Sequence, residues 1–590
     1  MKLGTLVLLL LSGCSFSAAQ PTNAPQLPSV VETNVAIPMR DGVVLRADVL
    51  RRTVSSKLPV LVYRTPYGKD AAEKEYTTFQ HAVERGYAVV IVDVRGRYHS
   101  DGEFRPYENE GRDGYDTIEW AAAQPWSNGA VGTFGLSYPG AVQWLAAVEN
   151  PPHLKAMMPA MTFSTPQNFF YAGGTWDMSW MEWIWDNIAW DVRVKKNLPG
   201  PRTYEEALTA WKDEGPKMLG ALPLRDMGAL KQVAPYYFDW LRHSPDDPWW
   251  NWSELRDKYG RTQAAVLNFS AWYDDNYGPE GATTNYAGLL KARMGEKDPR
   301  TYLLLGPWVH GVGSTAKTHS GEREFGASAA IDYDDVVLRW MDRFLKGAEN
   351  GVEREKPVRY FVMGRNEWRE SDTWPPAARG IPLFLIPALQ GESWGSLSEK
   401  PAADKKDFSE FVSDPANPVV NEYAASGAHD YRKLVERADV LTFDSAALTE
   451  DTEVTGPIRA DMFVSCDCRD LDFWVRLQDV SPDGTALNLM SPGLDVLRAS
   501  YRDLKRGRQL LEPGKIYELK LENLITSNVF LKGHRVRVQI SGSFSPNFSR
   551  NLQNGKSEVT SAEMKKASIR VYHGGGHASQ ILLPVVAPSN

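Results

Sequence analysis

The chain has 590 residues, with 66 Lys+Arg against 74 Asp+Glu, a net charge of −8 and a hydrophobic content of 43%. A single core does not grow to that size, so two or three domains are expected. The acidic balance argues against nucleic acid as a partner, because phosphates need a basic face, and beyond the first residues no segment is apolar and long enough to span a bilayer.

The N-terminus reads as an export signal over residues 1–19, not as fold. Lys2 supplies the charge and Leu3 to Leu11 a short apolar run. Leu11-Ser12-Gly13-Cys14 then has the form of a bacterial lipobox, in which Cys14 would be lipidated and anchor the protein to a membrane. Cleavage after Ala19 is the competing reading. Both imply export, to the periplasm as a free or membrane-anchored protein, or out of the cell.

From residue 34 to 147, strand-like and helix-like runs alternate: Val60 to Tyr63, a helix around Tyr76 to Arg85, Ala88 to Val94, and a helix around Asp113 to Gln124. A strand-like run, Ala130 to Phe134, then leads into Gly135-Leu136-Ser137-Tyr138-Pro139-Gly140 and a helix-like run from Ala141. A serine at such a turn can hold a strained backbone that lifts its hydroxyl above the sheet. The Tyr138 N–H then points to where an oxyanion would form. The serine needs a base and the base an orienting acid, and in this elbow type the acid comes first in the chain.

Residues 148–259 interrupt the alternation and carry Trp176, Trp180, Trp183 and Trp190 at near-helical spacing. The pattern resumes at residue 260 and closes near 350 with a helix from Asp332 to Leu345. Asp274 and its neighbour Asp275 follow an apolar run from Ala264 to Tyr273, and strand geometry alone does not choose between them. Among ten histidines, His310 ends the apolar run Thr301 to Val309, where open α/β sheets place their ligand-binding loops.

After Glu353-Arg354-Glu355-Lys356 the character changes. Residues 357–590 form short strand-like runs separated by turns, which predicts an all-β sandwich or jelly roll. Cys466 and Cys468 fall in one strand-like run, where bridging alternate positions would strain a disulfide, so both are read as packing residues. His573-Gly574-Gly575-Gly576-His577 imitates an oxyanion motif and a metal pair. Its three glycines disfavour a helical pair, and it is read as a surface turn. No motif calls for a metal or a cofactor.

Several ordered blocks resemble the CocE/NonD superfamily of serine hydrolases, which includes cocaine esterases and X-prolyl dipeptidyl aminopeptidases. They are Met39-Arg40-Asp41-Gly42, Arg64-Thr65-Pro66-Tyr67-Gly68-Lys69, Asp93-Val94-Arg95-Gly96-Arg97, Gly135 to Gly140, Trp272-Tyr273-Asp274, Gly306-Pro307-Trp308-Val309-His310 and Gly533-His534-Arg535-Val536-Arg537-Val538. The resemblance implies an α/β-hydrolase domain (34–147 and 260–350), an inserted helical cap (148–259) and a C-terminal jelly roll (357–590). It selects Asp274 over Asp275, completing a catalytic triad of Ser137, Asp274 and His310. It also implies that the Tyr67 phenol joins the Tyr138 N–H in the oxyanion hole.

Tyr171 and Trp176 in the cap, with Trp308, are the expected substrate pocket. The expected reaction is hydrolysis of a small-molecule ester or amide through an acyl-enzyme, without metal or cofactor. In the family's α-amino-acid ester hydrolases a carboxylate cluster grips the substrate ammonium. The corresponding positions here are Gln167-Asn168, Asn276 and Tyr277, none of them acidic, so a neutral or N-blocked acyl group is expected. X-Pro dipeptidyl-peptidase activity is the alternative enzyme reading, and an exported, non-catalytic binding protein the alternative of another class. A homo-oligomer is compatible with each.

Overall fold

The computed structural model describes residues 29–53, 55–275, 277–298, 300–402, 407–423 and 425–587. The export segment with Cys14 lies outside these residues, as does Asn276.

Ten strands build the first sheet: β1 (Ser29–Pro38), β2 (Val44–Arg52), β3 (Leu58–Thr65), β4 (Ala88–Asp93), β5 (Ser127–Leu136), β6 (Leu154–Ala160), β7 (Ala265–Tyr273), β8 (Thr301–Val309), β9 (Val358–Val362) and β10 (Glu367–Ser371). They lie in the order β1-β2-β4-β3-β5-β6-β7-β8-β9-β10. Pairing from β4 through β9 is parallel, and β1, β2 and β10 join antiparallel at the edges. Parallel strands are covered on both faces, which explains why Leu58–Thr65 and Ala88–Asp93 are buried along their whole length. Alternate residues serve two cores: Val60, Val62, Val90 and Val92 pack on one side, and Leu61, Tyr63, Val89 and Ile91 on the other. Helices Glu110–Ala122 and Tyr138–Ala147 cover the first side, and Thr78–Glu84 and Tyr333–Lys346 the second.

Two boundaries differ from the sequence reading. Leu154–Ala160 belongs to the sheet, so the insertion begins after it, and Val358–Ser371 returns to the sheet before the β region starts. The run Val358-Arg359-Tyr360-Phe361-Val362 carries the same apolar signature in either sheet. Only its parallel pairing with Leu303–Leu305 reveals which one it joins. The insertion itself is helical, running from Ser179–Trp183 through a π-helical turn, Ile184–Ala189, into Trp190–Lys196, followed by Tyr204–Gly220. The Thr203 side chain caps that last helix by accepting the Glu206 N–H.

Between Arg379 and Val585, twelve strands form an all-β domain around an apolar core that includes Phe473, Val475, Leu477, Val538 and Ile540. Cys466 and Cys468 are bridged by a disulfide, contrary to the packing role expected of them. The strand ends at Cys466, and the following bend brings the two Cα atoms to 5.2 Å, inside the range a disulfide needs. The surface-turn reading of 573–577 holds only for its tip. His573 is fully buried, with Nε2 2.8 Å from Ser409 Oγ, and burial depresses it to about 4.

This domain grips the insertion. The Arg498 N–H donates to Gly173 O (2.8 Å), Met178 N–H to Asn547 O (2.9 Å), Trp176 N–H to Ser549 Oγ (3.1 Å) and Leu224 N–H to Glu558 O (3.0 Å).

Candidate active site

Ser137 stands between β5 and helix Tyr138–Ala147 with φ 68° and ψ −123°, a conformation an L-residue holds only under constraint. The neighbouring glycines make the bend possible. A Cβ on Gly135 would lie 2.5 Å from Pro139 Cβ, and one on Gly140 2.6 Å from Ala160 O. The Ser137 N–H donates to Ala160 O (3.0 Å), which ties the turn to β6, while its carbonyl accepts from Gly140 and Ala141 (both 2.9 Å).

Asp274 and His310 follow the C-terminal ends of the adjacent strands β7 and β8. His310 Nδ1 lies 2.7 Å from Asp274 Oδ1, and the Asp274 side chain is completely buried. Asp275 lies near the imidazole and lines the same cavity, but its carboxylate accepts from Ser426 Oγ. The geometry therefore separates the two neighbours that strand pattern could not. Burial disfavours the charged imidazole, but the Asp274 charge and hydrogen bond more than offset it and hold His310 above its ordinary value.

Tyr67 follows β3 and lines the same cavity as Ser137. Its phenol oxygen accepts from Trp183 Nε1–H (3.0 Å), and burial pushes it up to about 12, so at neutral pH it is an intact O–H donor. Tyr138 is fixed at its far end: its hydroxyl donates to Glu110 Oε1 (2.8 Å) and accepts the Tyr107 N–H (3.1 Å), and Glu110 pairs with buried Arg64. Its ring stacks between Tyr107 and Trp183 (4.2 and 6.1 Å).

Ser137, Tyr67, Tyr107, Tyr277 and His310 line one cavity of about 1110 Å³, closed on the other side by Trp180, Trp183, Asp186 and Trp190 of the insertion. The three expected pocket aromatics are not among its lining residues. Tyr171 donates its hydroxyl to His243 O and packs on Trp176 and Trp250; Trp176 packs on Phe170 and Tyr237. Trp308 stacks on Phe269 (5.2 Å) and donates its indole N–H to Ala329 O (2.8 Å). All three complete cores, because their polar atoms or faces find partners within the protein.

Sequence reasoning did not assign Trp183 or Arg97 a place at the site. Trp183 is the donor behind Tyr67. Arg97, fully buried, links the Tyr67 turn to the insertion by donating to Pro66 O (2.8 Å), Asn187 O (3.1 Å) and Ile188 O (3.3 Å) and pairing with Asp191 (3.0 Å). The only signal for either was Arg97's position in a family-like block and Trp183's in the tryptophan register.

A sheet of this topology with a strained serine and a buried Asp–His pair on its strand ends defines a serine hydrolase of the α/β kind. A family model for X-Pro dipeptidyl-peptidase (S15 family) matches residues 41–312, and one for the X-Pro dipeptidyl-peptidase C-terminal non-catalytic domain matches residues 350–582. Cocaine esterase of Rhodococcus sp. is 32% identical over 587 aligned residues, covering 94% of this chain and 98% of that one. The chain belongs to this cocaine esterase and X-Pro dipeptidyl-peptidase (CocE/NonD) family and is a serine hydrolase. In fold it is similar to an α-amino acid ester hydrolase (TM-score 0.80, 24% identity, 97% of this chain and 100% of that one). It is equally similar to an aminopeptidase from a marine sediment Thaumarchaeota archaeon (TM-score 0.80, 23% identity, 97% and 99%). Membership of an enzyme family sets aside the non-catalytic binding protein.

Proposed function

We propose that Ser137, Asp274 and His310 are the catalytic triad of an esterase or acylase. Ser137 Oγ attacks the carbonyl carbon as His310 takes its proton. Asp274 holds the ring in the tautomer that leaves Nε2 free and stabilises the imidazolium. The Tyr67 O–H and the Tyr138 N–H receive the oxyanion. His310 then protonates the leaving alcohol or amine, and water, activated by the same histidine, releases the acyl group. The observation that carries this reading is the 2.7 Å His310–Asp274 contact beside a cavity shared by Ser137 and Tyr67.

The acyl group is neutral or N-blocked at its α position. In support, Gln167 and Asn168 spend their amides on Pro245 O (2.8 Å) and Tyr277 O (3.0 Å), and neither they nor Tyr277 offers a counter-charge to an α-ammonium. Export is proposed as well, through Cys14 lipidation or cleavage after Ala19, and the Cys466–Cys468 disulfide fits an oxidising compartment.

The test compares wild type with Ser137→Ala on short and aromatic acyl nitrophenyl esters, N-blocked anilides and Gly-Pro anilide, together with fluorophosphonate labelling. Ester or blocked-anilide turnover lost in the variant, with little Gly-Pro anilide cleavage, is expected. Strong serine-dependent cleavage of Gly-Pro anilide would replace the acyl assignment with dipeptidyl-peptidase activity. A wild-type protein unlabelled at Ser137 would overturn the mechanism.

A further inference from the structure

The cavity carries more negative charge than the hydrolysis uses. Glu75, Glu182, Asp186, Glu205 and Asp275 all line it, and among the described residues no lysine or arginine does. Most of these carboxylates reach solvent or a donor, but Asp186 differs. It sits on the π-helical turn Ile184–Ala189, is only 8% exposed, and its Oδ1 is buried without a hydrogen-bond partner. The charge acting on it is another carboxylate: burial, reinforced by Glu182, pushes Asp186 up to about 7. A buried carboxylate facing a like charge opposes folding unless it takes up a proton or meets a cation. π-helical turns are themselves concentrated at functional sites.

The shape of the surroundings selects the class of ligand. Among the described residues, the one group with metal-ligand spacing is Asp274, Asp275 and His310, whose imidazole Nδ1 is already engaged by Asp274. Glu182 and Asp186 lack a third ligand at such spacing. Aromatic residues line the same cavity, among them Trp183, Trp190, Tyr98 and Tyr204. A cavity lined by both carboxylates and aromatic rings suits a soft, weakly hydrated cation, which gains charge attraction and the ring quadrupole together. Trp183 also donates to Tyr67, so the same helical segment touches the reacting end of the cavity.

We propose that Glu182 and Asp186, with the faces of Trp183 and Trp190, form a subsite for an organic ammonium group on the part of the substrate that lies against the insertion, away from the α position of the acyl group. This rests on the cavity being the hydrolytic site proposed above.

The experiment measures binding without turnover. Full-length Ser137→Ala protein is titrated calorimetrically with choline and with 3,3-dimethylbutan-1-ol, the isostere in which carbon replaces the charged nitrogen. Choline is expected to bind about tenfold tighter or more, the size a desolvated cation–π and carboxylate contact gives. Asp186→Asn and Glu182→Gln in that background should each shrink the ratio several-fold, with thermal melts reporting whether the variants are folded. Glu182 is exposed, so its variant keeps the test valid if Asp186→Asn does not fold. Equal binding of the two probes, or a choline preference that neither folded variant moves, overturns the subsite. Magnesium or calcium binding without a choline preference also overturns it. Fluorophosphonate labelling of the wild type is read separately. Labelled Ser137 with equal probe binding removes only the subsite, whereas choline preference without labelling removes only the mechanism.

Discussion

One carboxylate of the insertion and one charge cluster of the β domain are buried in opposite ways. In the β domain Arg498 donates to both oxygens of Asp472 (2.7 and 3.0 Å) and to Glu558 (2.6 Å), with Asn551 adding a bond to Asp472 (3.0 Å). Every member is nearly inaccessible, and the charges close on one another. In the insertion, Asp186 has an unpartnered oxygen and a like-charged neighbour. Pairing marks the first as a device for holding shape. Lack of pairing marks the second as a place where shape alone does not explain the residue.

Breaking the pair gives the largest expected effect on stability. Arg498→Met leaves two carboxylates buried without a partner and should cost about 3–5 kcal/mol of unfolding free energy. Asp186→Asn removes an uncompensated charge and should leave the melting temperature unchanged or raise it. Denaturant titration of both variants checks this, and equal losses would erase the distinction between the two regions. Tyr67→Phe sharpens the comparison on the activity side. It removes one oxyanion donor and the acceptor of the Trp183 N–H, so acylation should slow by roughly ten- to a thousandfold, measured by single-turnover kinetics. An unchanged rate would take Tyr67 out of the site.

The smallest effect is on pH. The Asp274–His310 pair is matched like Arg498 but opens to the cavity through His310, and in the proposed mechanism its pairing serves chemistry. His310 must be neutral to act as base, so kcat/KM should fall as pH drops through an inflection above 6.5, its ordinary value. In Asp274→Asn that inflection should move down, because burial is then opposed only by the weaker pull of Asp275. The stability contribution runs the other way. A folded value raised above the unfolded one stabilises fully below the unfolded value, and that stability is lost as pH rises through the folded one.

The parallel sheet and the turn around Ser137 were legible because both follow from local pattern, continuous apolar strands and a run of small residues, whereas that pattern brought Asp274, Asp275 and His310 to strand ends without choosing between the two aspartates. The pocket was not legible. Tyr171, Trp176 and Trp308 have the composition of a pocket wall, but whether an indole faces a cavity or a core depends on neighbours distant in the chain, such as Ala329 for Trp308. The Cys466–Cys468 bridge was missed for a similar reason, since the strand pattern runs one turn further in sequence than in the backbone. Asp186 carries no sequence signal at all; its oddity is the absence of a partner.

The contacts through which the β domain holds the insertion have a consequence for how such enzymes diversify. Gly173, Trp176, Met178 and Leu224 are all anchored to residues between Arg498 and Glu558, so the wall opposite Ser137 takes its position from a region whose family description is non-catalytic. Specificity in this architecture is then a property inherited through two modules at once. A chimera that kept the hydrolase and insertion but borrowed its C-terminal domain from a relative would retain the triad while re-aiming the wall, and selection acting on either module would be felt in the other.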